Sequence, residues 1–241
     1  VYANGSDNLG LYGANDTAMI NGTGSQVWTG GNGQNGTSDY VTFANGGMVN
    51  EASGANLNTF GSGVTVNASG SDNLGLYGAN DTANISGTGS QVWTGGNGQN
   101  GTADYFHFAN GGAVNEAANA SINAYGNGIT VNANASDNLG IYGTGDTVKL
   151  GANDGIWAGK GSDVFVLPAT TGQDVITGFV ASGSNHDTLQ FSRSVFADWA
   201  HLLGATKQQG SDLLITIDAN DTVVVKNVTL ASFTSADAKF V

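Results

Sequence analysis

The sequence predicts an all-β fold, a parallel β-roll or β-solenoid, and three observations predict it. Residues 5–51 recur at 70–116, a period of 65, with six substitutions: Met19/Asn84, Asn21/Ser86, Ser38/Ala103, Val41/Phe106, Thr42/His107 and Met48/Ala113. Copies this similar each meet a neighbour like themselves, which favours a stacked, quasi-one-dimensional array over a pocket built from unlike parts. A shorter beat of eight or nine residues runs inside the long one: Asp137, Asp146, Asp154 and Asp163 each precede apolar side chains at +2 and mostly at +4. That alternation marks a short, half-buried strand. Third, the 241 residues include 39 Gly, one Pro and no Cys, yet 39 % are hydrophobic and 9 % aromatic. Those fractions fit a turn-dense folded protein rather than a disordered tail.

In chain order, each full copy opens on two acid-led units, Asp7 and Asp16 in the first and Asp72 and Asp81 in the second. Apolar alternation then predicts short strands at 91–93, 105–108, 113–115, 121–124 and 129–131. A third copy starts at Ser136 and dissolves into different sequence. Gly-rich turns at 143–145, 151–153 and 159–161 separate its strands, because such turns need positive φ, which Gly adopts freely and Asn or Asp tolerates. Asn side chains at equivalent positions are expected to hydrogen-bond along the stack. About seven strand units fit in the 65-residue repeat. That number divides evenly into neither two-sheet nor three-sheet coils, so the sequence leaves the cross-section open. Beyond Asp163 the strands are predicted at 164–167, 175–179, 188–191, 212–217 and 222–226, with a helix over 194–205. The expected organisation is two tandem repeats over 1–135, a partial third copy merging into a β-roll over 136–167, and a C-terminal domain over 168–241.

Charge narrows the partners. Nineteen acidic and six basic residues give a formal charge of −13. Nucleic-acid binding needs a basic footprint, and anionic membrane surfaces are disfavoured for the same reason. No run approaches the roughly 20 apolar residues of a membrane helix, so membrane insertion is not expected. Divalent cations are the natural counter-charge. Without Cys there are no disulfides and no thiolate chemistry. No N-terminal signal peptide is visible, which fits an export address elsewhere or a longer parent chain.

The nine-residue unit G-G-x-G-x-D-x-U-x, with U apolar, is a calcium-binding β-helix repeat. The run from Gly159 through Gly161 and Asp163 to Phe165 matches its G-x-G-x-D-x-U portion. Residues 30–39 and 95–104 form a stretched version in which Asn replaces the first acid. The candidate ligands are therefore Asp146, Asp154, Gly159, Gly161 and Asp163, with Asn32, Asp39, Asn97 and Asp104. Turn carbonyls and carboxylates from neighbouring coils supply the hard oxygens that Ca²⁺ takes, about six to eight per ion. For Asp7, Asp16, Asp72 and Asp81 an Asx-turn role without metal stands beside the ligand role.

Four phrases carry a family resemblance: G-x-G-x-D-x-F-V-L from Gly159, G-x-D-x-I-x-x-F from Gly172, D-x-L-x-F from Asp187, and G-x-D-L-x-I with D-x-V-x-V from Gly210 to Val225. Together they resemble the C-terminal region of RTX, haemolysin-type calcium-binding proteins, with the serralysin-like domain read by type I secretion. The resemblance covers about 146–241 and leaves the 65-residue repeats unassigned. It implies calcium at Asp163 and Asp174, and export through a type I secretion apparatus that reads the C-terminus. Only one good nonapeptide is present, and the long repeat is not part of that family's pattern.

Catalysis is not expected. His107, His186 and His201 stand alone, and no H-E-x-x-H, G-x-S-x-G or P-loop occurs. Glu51 and Glu116, the only Glu residues, occupy equivalent positions, which favours structural roles. Strand alternation points Tyr12, Tyr77 and Tyr142, and Trp28, Trp93 and Trp157, outward along one side of the array. Such rings suit sugar stacking, or they cover turns as ordinary packing. The expectation is a calcium-stabilised repeat and secretion region of a bacterial extracellular structural or adhesive protein: a surface-layer, biofilm-matrix or adhesin component. Glycans or like subunits are its expected partners. The alternatives are the non-catalytic calcium-binding module of a secreted polysaccharide-active enzyme, and a self-assembling fibre subunit.

Overall fold

The computed structural model describes residues 1–30, 38–95 and 102–241 and shows a parallel β-solenoid. Its two compact units are Val1–Gly126 and Asn127–Val241. In the first unit the strands are β1 (Tyr2–Ala3), β2 (Asn8–Leu11), β3 (Thr17–Ile20), β4 (Gln26–Thr29), β5 (Asp39–Phe43), β6 (Gly47–Glu51), β7 (Asn56–Phe60), β8 (Val64–Ala68), β9 (Asn73–Tyr77), β10 (Thr82–Ile85), β11 (Gln91–Thr94), β12 (Asp104–Phe108), β13 (Gly112–Asn115) and β14 (Ser121–Tyr125). Odd-numbered strands form one parallel sheet and even-numbered strands the other. Each coil contributes one strand to each sheet. The cross-section is therefore two-sheeted, the point that the sequence left open.

Seven strands per 65 residues then has a consequence. Seven is odd, so each copy begins on the sheet opposite to its predecessor: β2 opens the first copy and its equivalent β9 opens the second. Trp28 lies on the even sheet and Tyr12 directly follows that sheet's β2, whereas Tyr77 and Trp93 lie on the odd one. The expectation that these aromatics line one side of the array is corrected by this parity. Their outward aim is as expected, with Trp28 and Trp93 exposed at matching levels.

Strand alternation buries one face. In β10, Ala83 and Ile85 are sealed while Asn84 is exposed; in β12, Phe106 and Phe108 are sealed while Tyr105 and His107 face out. Phe43, Phe106, Leu57, Leu74, Leu76 and Ile122 fill the space between the sheets. Each such side chain contributes roughly 1.5–3 kcal/mol by leaving water. Most coils of this unit advance by 17 or 18 residues, and those whose sequence includes 31–37 or 96–101 advance by 22 or 23.

The turns stack as tightly as the strands. Asn15, Asn80 and Asn153 hold φ of 62°, 61° and 64°, each just before an Asp, and Gly145 holds the same place at 70°. This is the left-handed conformation expected of G-A-N-D turns. A Cβ on Gly87 would lie 1.9 Å from the carbonyl oxygen of Gly70 in the coil below.

In the second unit the strands are β15 (Ile129–Asn132), β16 (Asn138–Tyr142), β17 (Thr147–Lys149), β18 (Gly155–Ala158), β19 (Val164–Leu167), β20 (Gln173–Thr177), β21 (Thr188–Phe191), β22 (Thr206–Gln209), β23 (Asp212–Thr216), β24 (Thr222–Val225) and β25 (Ala238–Phe240). The parallel ladder runs as far as β24 on one sheet and β25 on the other. Beyond β24 the pairing turns antiparallel through β23 to β22, which ends that sheet in a meander. The helix is shorter than expected: α1 spans Trp199–Gly204, capped by Asp198. Residues 192–196 instead make a turn in which the N–H groups of Val195 and Phe196 donate to Ser192 O. An aromatic cluster closes the end, with Phe165 beside Phe179, Phe179 edge-on to Phe233, and Phe196 edge-on to Phe191 at 5.1 Å.

Candidate metal centre

The aspartates do one job repeatedly. Oδ1 accepts a backbone N–H from the preceding coil: Val64 to Asp81 (2.8 Å), Ile129 to Asp146 (2.8 Å), Asp137 to Asp154 (3.0 Å), Asp146 to Asp163 (2.9 Å), Asp154 to Asp174 (2.8 Å) and Asp163 to Asp187 (2.9 Å). Asp16 and Asp81 donate the same way to Asp39 and Asp104, each at 2.9 Å. Acid is thus joined to acid, coil upon coil. In the second unit the four candidates separate into two ladders. Asp146 and Asp163 precede β17 and β19 with Asp187 next in line; Asp154 precedes β18 and Asp174 lies in β20, on the other sheet. Asn32 and Asn97 lie outside the described residues.

Oδ2 divides these acids into two kinds. In five it accepts an N–H from the acid's own turn: Gly5 to Asp7, Gly13 to Asp16, Gly70 to Asp72, Asn134 to Asp137 and Gly151 to Asp154. These are the Asx-type turns weighed from sequence. Asp174 Oδ2 accepts from the Thr171 hydroxyl, and Asp187 Oδ2 from Val180 N–H. In Asp81, Asp146 and Asp163, however, Oδ2 is buried with no hydrogen-bond partner. Leaving a buried acceptor unsatisfied costs about 1–3 kcal/mol, and more for a charged one.

Burial raises these carboxyl pKa values. Asp81 is pushed up to about 7, first by loss of solvent and then by the Asp104 charge, against the lowering bond from Val64. Asp146 rises to about 6 through burial and the charge of Asp163, and Asp163 itself is raised by burial. Asp174 and Asp187 reach about 7 and about 6 for the same leading reason. Half-buried Asp212 goes the other way, to about 2, held by Asn227 N–H and Lys226.

The sign for stability follows. A carboxyl whose folded pKa lies above its unfolded value binds more protons when folded, so its stabilising effect is full at low pH and is lost as pH rises through the folded value. Metal-free protein is therefore expected to melt at a lower temperature at pH 8 than at pH 5, with the fall running from about pH 4, the ordinary aspartate value, up to the folded values of about 6 to 7. Calcium needs the deprotonated acids, so its stabilisation grows over the same window. Calorimetry at four pH values with chelator or with calcium checks both slopes; a flat metal-free profile contradicts the assignment.

Do these residues fit Ca²⁺? Asp146 and Asp163 present two stacked, unpartnered carboxylate oxygens beside the stacked turns at 143–145 and 159–161. Gly161 has no room for a side chain there, since a Cβ would meet Gly143 O at 2.7 Å. Gly159 donates its N–H to Ile141 O (2.7 Å). The donor set is hard oxygen and anionic, which fits calcium. In the first unit Asp81 is joined to Asp104 by the same coil-to-coil bond, and Asp81 Oδ2 is the buried atom without a partner there. Asp154 and Asp174 fit less well, because every carboxylate oxygen of that pair already accepts a hydrogen bond. Asp81 is one of the four acids, with Asp7, Asp16 and Asp72, that sequence reasoning left undecided. Its signal was its place one coil before Asp104, the relation Asp146 bears to Asp163.

Searches against protein-family models and against curated proteins gave no match.

Proposed function

We infer that this chain is the calcium-stabilised repeat and secretion region of a bacterial extracellular structural or adhesive protein, exported through a type I apparatus. The observation that carries this reading is the stack of buried acids whose Oδ2 atoms lack partners at Asp146 and Asp163. Like charges held one coil apart in a sealed turn need a proton or a cation, and an extracellular medium supplies Ca²⁺ at millimolar levels, in the range of weak extracellular calcium modules. Asp146 and Asp163 would hold the ion, joined by turn carbonyls, with Asp81 and Asp104 as the equivalent pair. When bound, calcium supplies the counter-charge that lets these turns stack deprotonated. No catalytic step belongs to this reading; the stiff two-sheet stack is itself the product.

Thermal unfolding in chelator and in calcium tests it. At a free concentration about 100 times the Kd, one site stabilises by about 2.7 kcal/mol, which for a chain of this size is roughly 5–11 °C. Magnesium at the same concentration is expected to give much less, since it demands a tighter octahedral shell. Superimposable melting curves in chelator and calcium would retire the proposal.

A further inference from the structure

Parity places two nearly identical copies on opposite sheets, so their few differences report what each face is for. The even sheet of the first unit carries one unbroken outward row, Asn50, Asn67, Asn84, His107 and Tyr125, in register from β6 to β14. The Asn amides link along it, Asn67 Nδ2 to Asn50 Oδ1 and Asn84 Nδ2 to Asn67 Oδ1, each 2.9 Å. His107 and Tyr125 then stack, ring centroids 4.8 Å apart and 12° from parallel. Beside the row lies an open groove of about 720 Å³, rimmed by Ser69 and Ser86. Its floor includes Glu51, which is 94 % buried with neither carboxylate oxygen hydrogen-bonded.

Of the residues lining this groove, six fall in the second copy, at 84–86 and 107–109. Three of the six substitutions between the copies are there: Asn84 for Met19, Ser86 for Asn21 and His107 for Thr42. A fourth changed residue, Phe106, lies sealed beneath the same strand. On the odd sheet the equivalent row reads Met19, Thr42, Phe60 and Tyr77, without amides or imidazole. Random drift would spread six changes over the whole copy; here half gather on one groove, where an amide replaces Met19 and an imidazole replaces Thr42.

We propose that this groove binds an uncharged polysaccharide chain lying along the stack. Stacked coils repeat about every 4.8 Å, so the five-residue row is about 19 Å long and spans several sugar rings. The His107–Tyr125 pair offers a flat face for the C–H side of a pyranose, and the Asn row and Ser69 and Ser86 hydroxyls offer donors and acceptors to its hydroxyl groups. No Lys or Arg lines the groove, and the chain carries a formal charge of −13, so an anionic glycan is repelled. Burial, then the charges of Asp72 and Asp39, push the Glu51 carboxyl well above its usual range. The groove does not depend on the calcium reading, and its failure would leave that reading intact.

Isothermal titration of the calcium-loaded chain with linear glucan, mannan and galactan hexasaccharides, and with hexagalacturonate, tests this. At least one neutral hexasaccharide is expected to bind and the anionic one not. The triple variant Asn84→Met, Ser86→Asn, His107→Thr installs residues that the first copy already carries at exposed or half-buried positions, so folding is preserved. It is expected to weaken binding at least tenfold, while Met19→Ala on the opposite sheet leaves binding unchanged. No binding of any neutral hexasaccharide at millimolar concentration, or binding untouched by the triple variant, overturns the proposal. A solution dimer that the triple variant dissolves also overturns it, because the groove would then seat a second copy of the chain.

Discussion

Replacing Asp163 by Asn is expected to remove most of the stabilisation that calcium confers while leaving the metal-free fold standing. The amide keeps an oxygen in place to accept the N–H of Asp146, so the coil-to-coil bond survives. It removes the negative charge and the free Oδ2, which are what a cation needs. In chelator the cost is an unsatisfied Nδ2 group, about 1–3 kcal/mol. With calcium the variant also forgoes much of the gain, so its deficit against the parent widens by about 2 kcal/mol at saturating ion. Asp174→Asn is the matched control. Asp174 has both oxygens engaged, one by Asp154 N–H and one by the Thr171 hydroxyl, so its substitution should lower stability equally with and without calcium. Equal calcium responses from the two variants would contradict the assignment of the ion to Asp146 and Asp163.

Gly151→Ala is expected to be among the most damaging small substitutions in the chain. An added Cβ would sit 1.3 Å from the carbonyl oxygen of Asn134 and 2.2 Å from its carbon, and backbone cannot step aside as a flexible side chain can. The turn at 151–154 also ties Gly151 N–H to Asp154 Oδ2 (2.7 Å), so moving it breaks an acid ladder as well. Roughly 3 kcal/mol is expected, the upper part of the range for overpacking. For a chain of this length that is about 6–12 °C in Tm. Gly183→Ala is a useful contrast: its φ of 95° is strained for any side chain, but nothing lies near its Cβ. It should cost only about 1 kcal/mol, the conformational term alone. Equal losses from the two would mean that coil stacking does not limit these turns.

The strand beat was legible in the sequence because each coil repeats one local problem: a left-handed turn residue, an acid to tie the turn, and two apolar side chains for the core. The strand at 164–167 and the outward aim of His107 follow from that alone. The sheet on which each copy begins was not legible, since it depends on the number of strands per coil, a property of closure rather than of any local window. Tyr12 and Tyr77 look interchangeable in sequence and lie on opposite faces. The division of the acids into tied and untied was hidden too. Asp16 and Asp81 share the turn G-A-N-D, yet only Asp16 has its Oδ2 hydrogen-bonded. β22 was missed because Thr-Lys-Gln-Gln carries no apolar alternation; it is a strand through pairing with β23, and tertiary context overrides propensity there. The row of Asn, His and Tyr became visible only once the strands were in register, because its members lie 17, 17, 23 and 18 residues apart in the chain.

Crystals grown in calcium test the central claim most directly, through anomalous scattering of the ion. The account predicts a calcium peak bridging the Asp146 and Asp163 side chains in direct contact with their Oδ2 atoms, and a second between Asp81 and Asp104. Water alone beside Asp163, in crystals saturated with calcium, would contradict it.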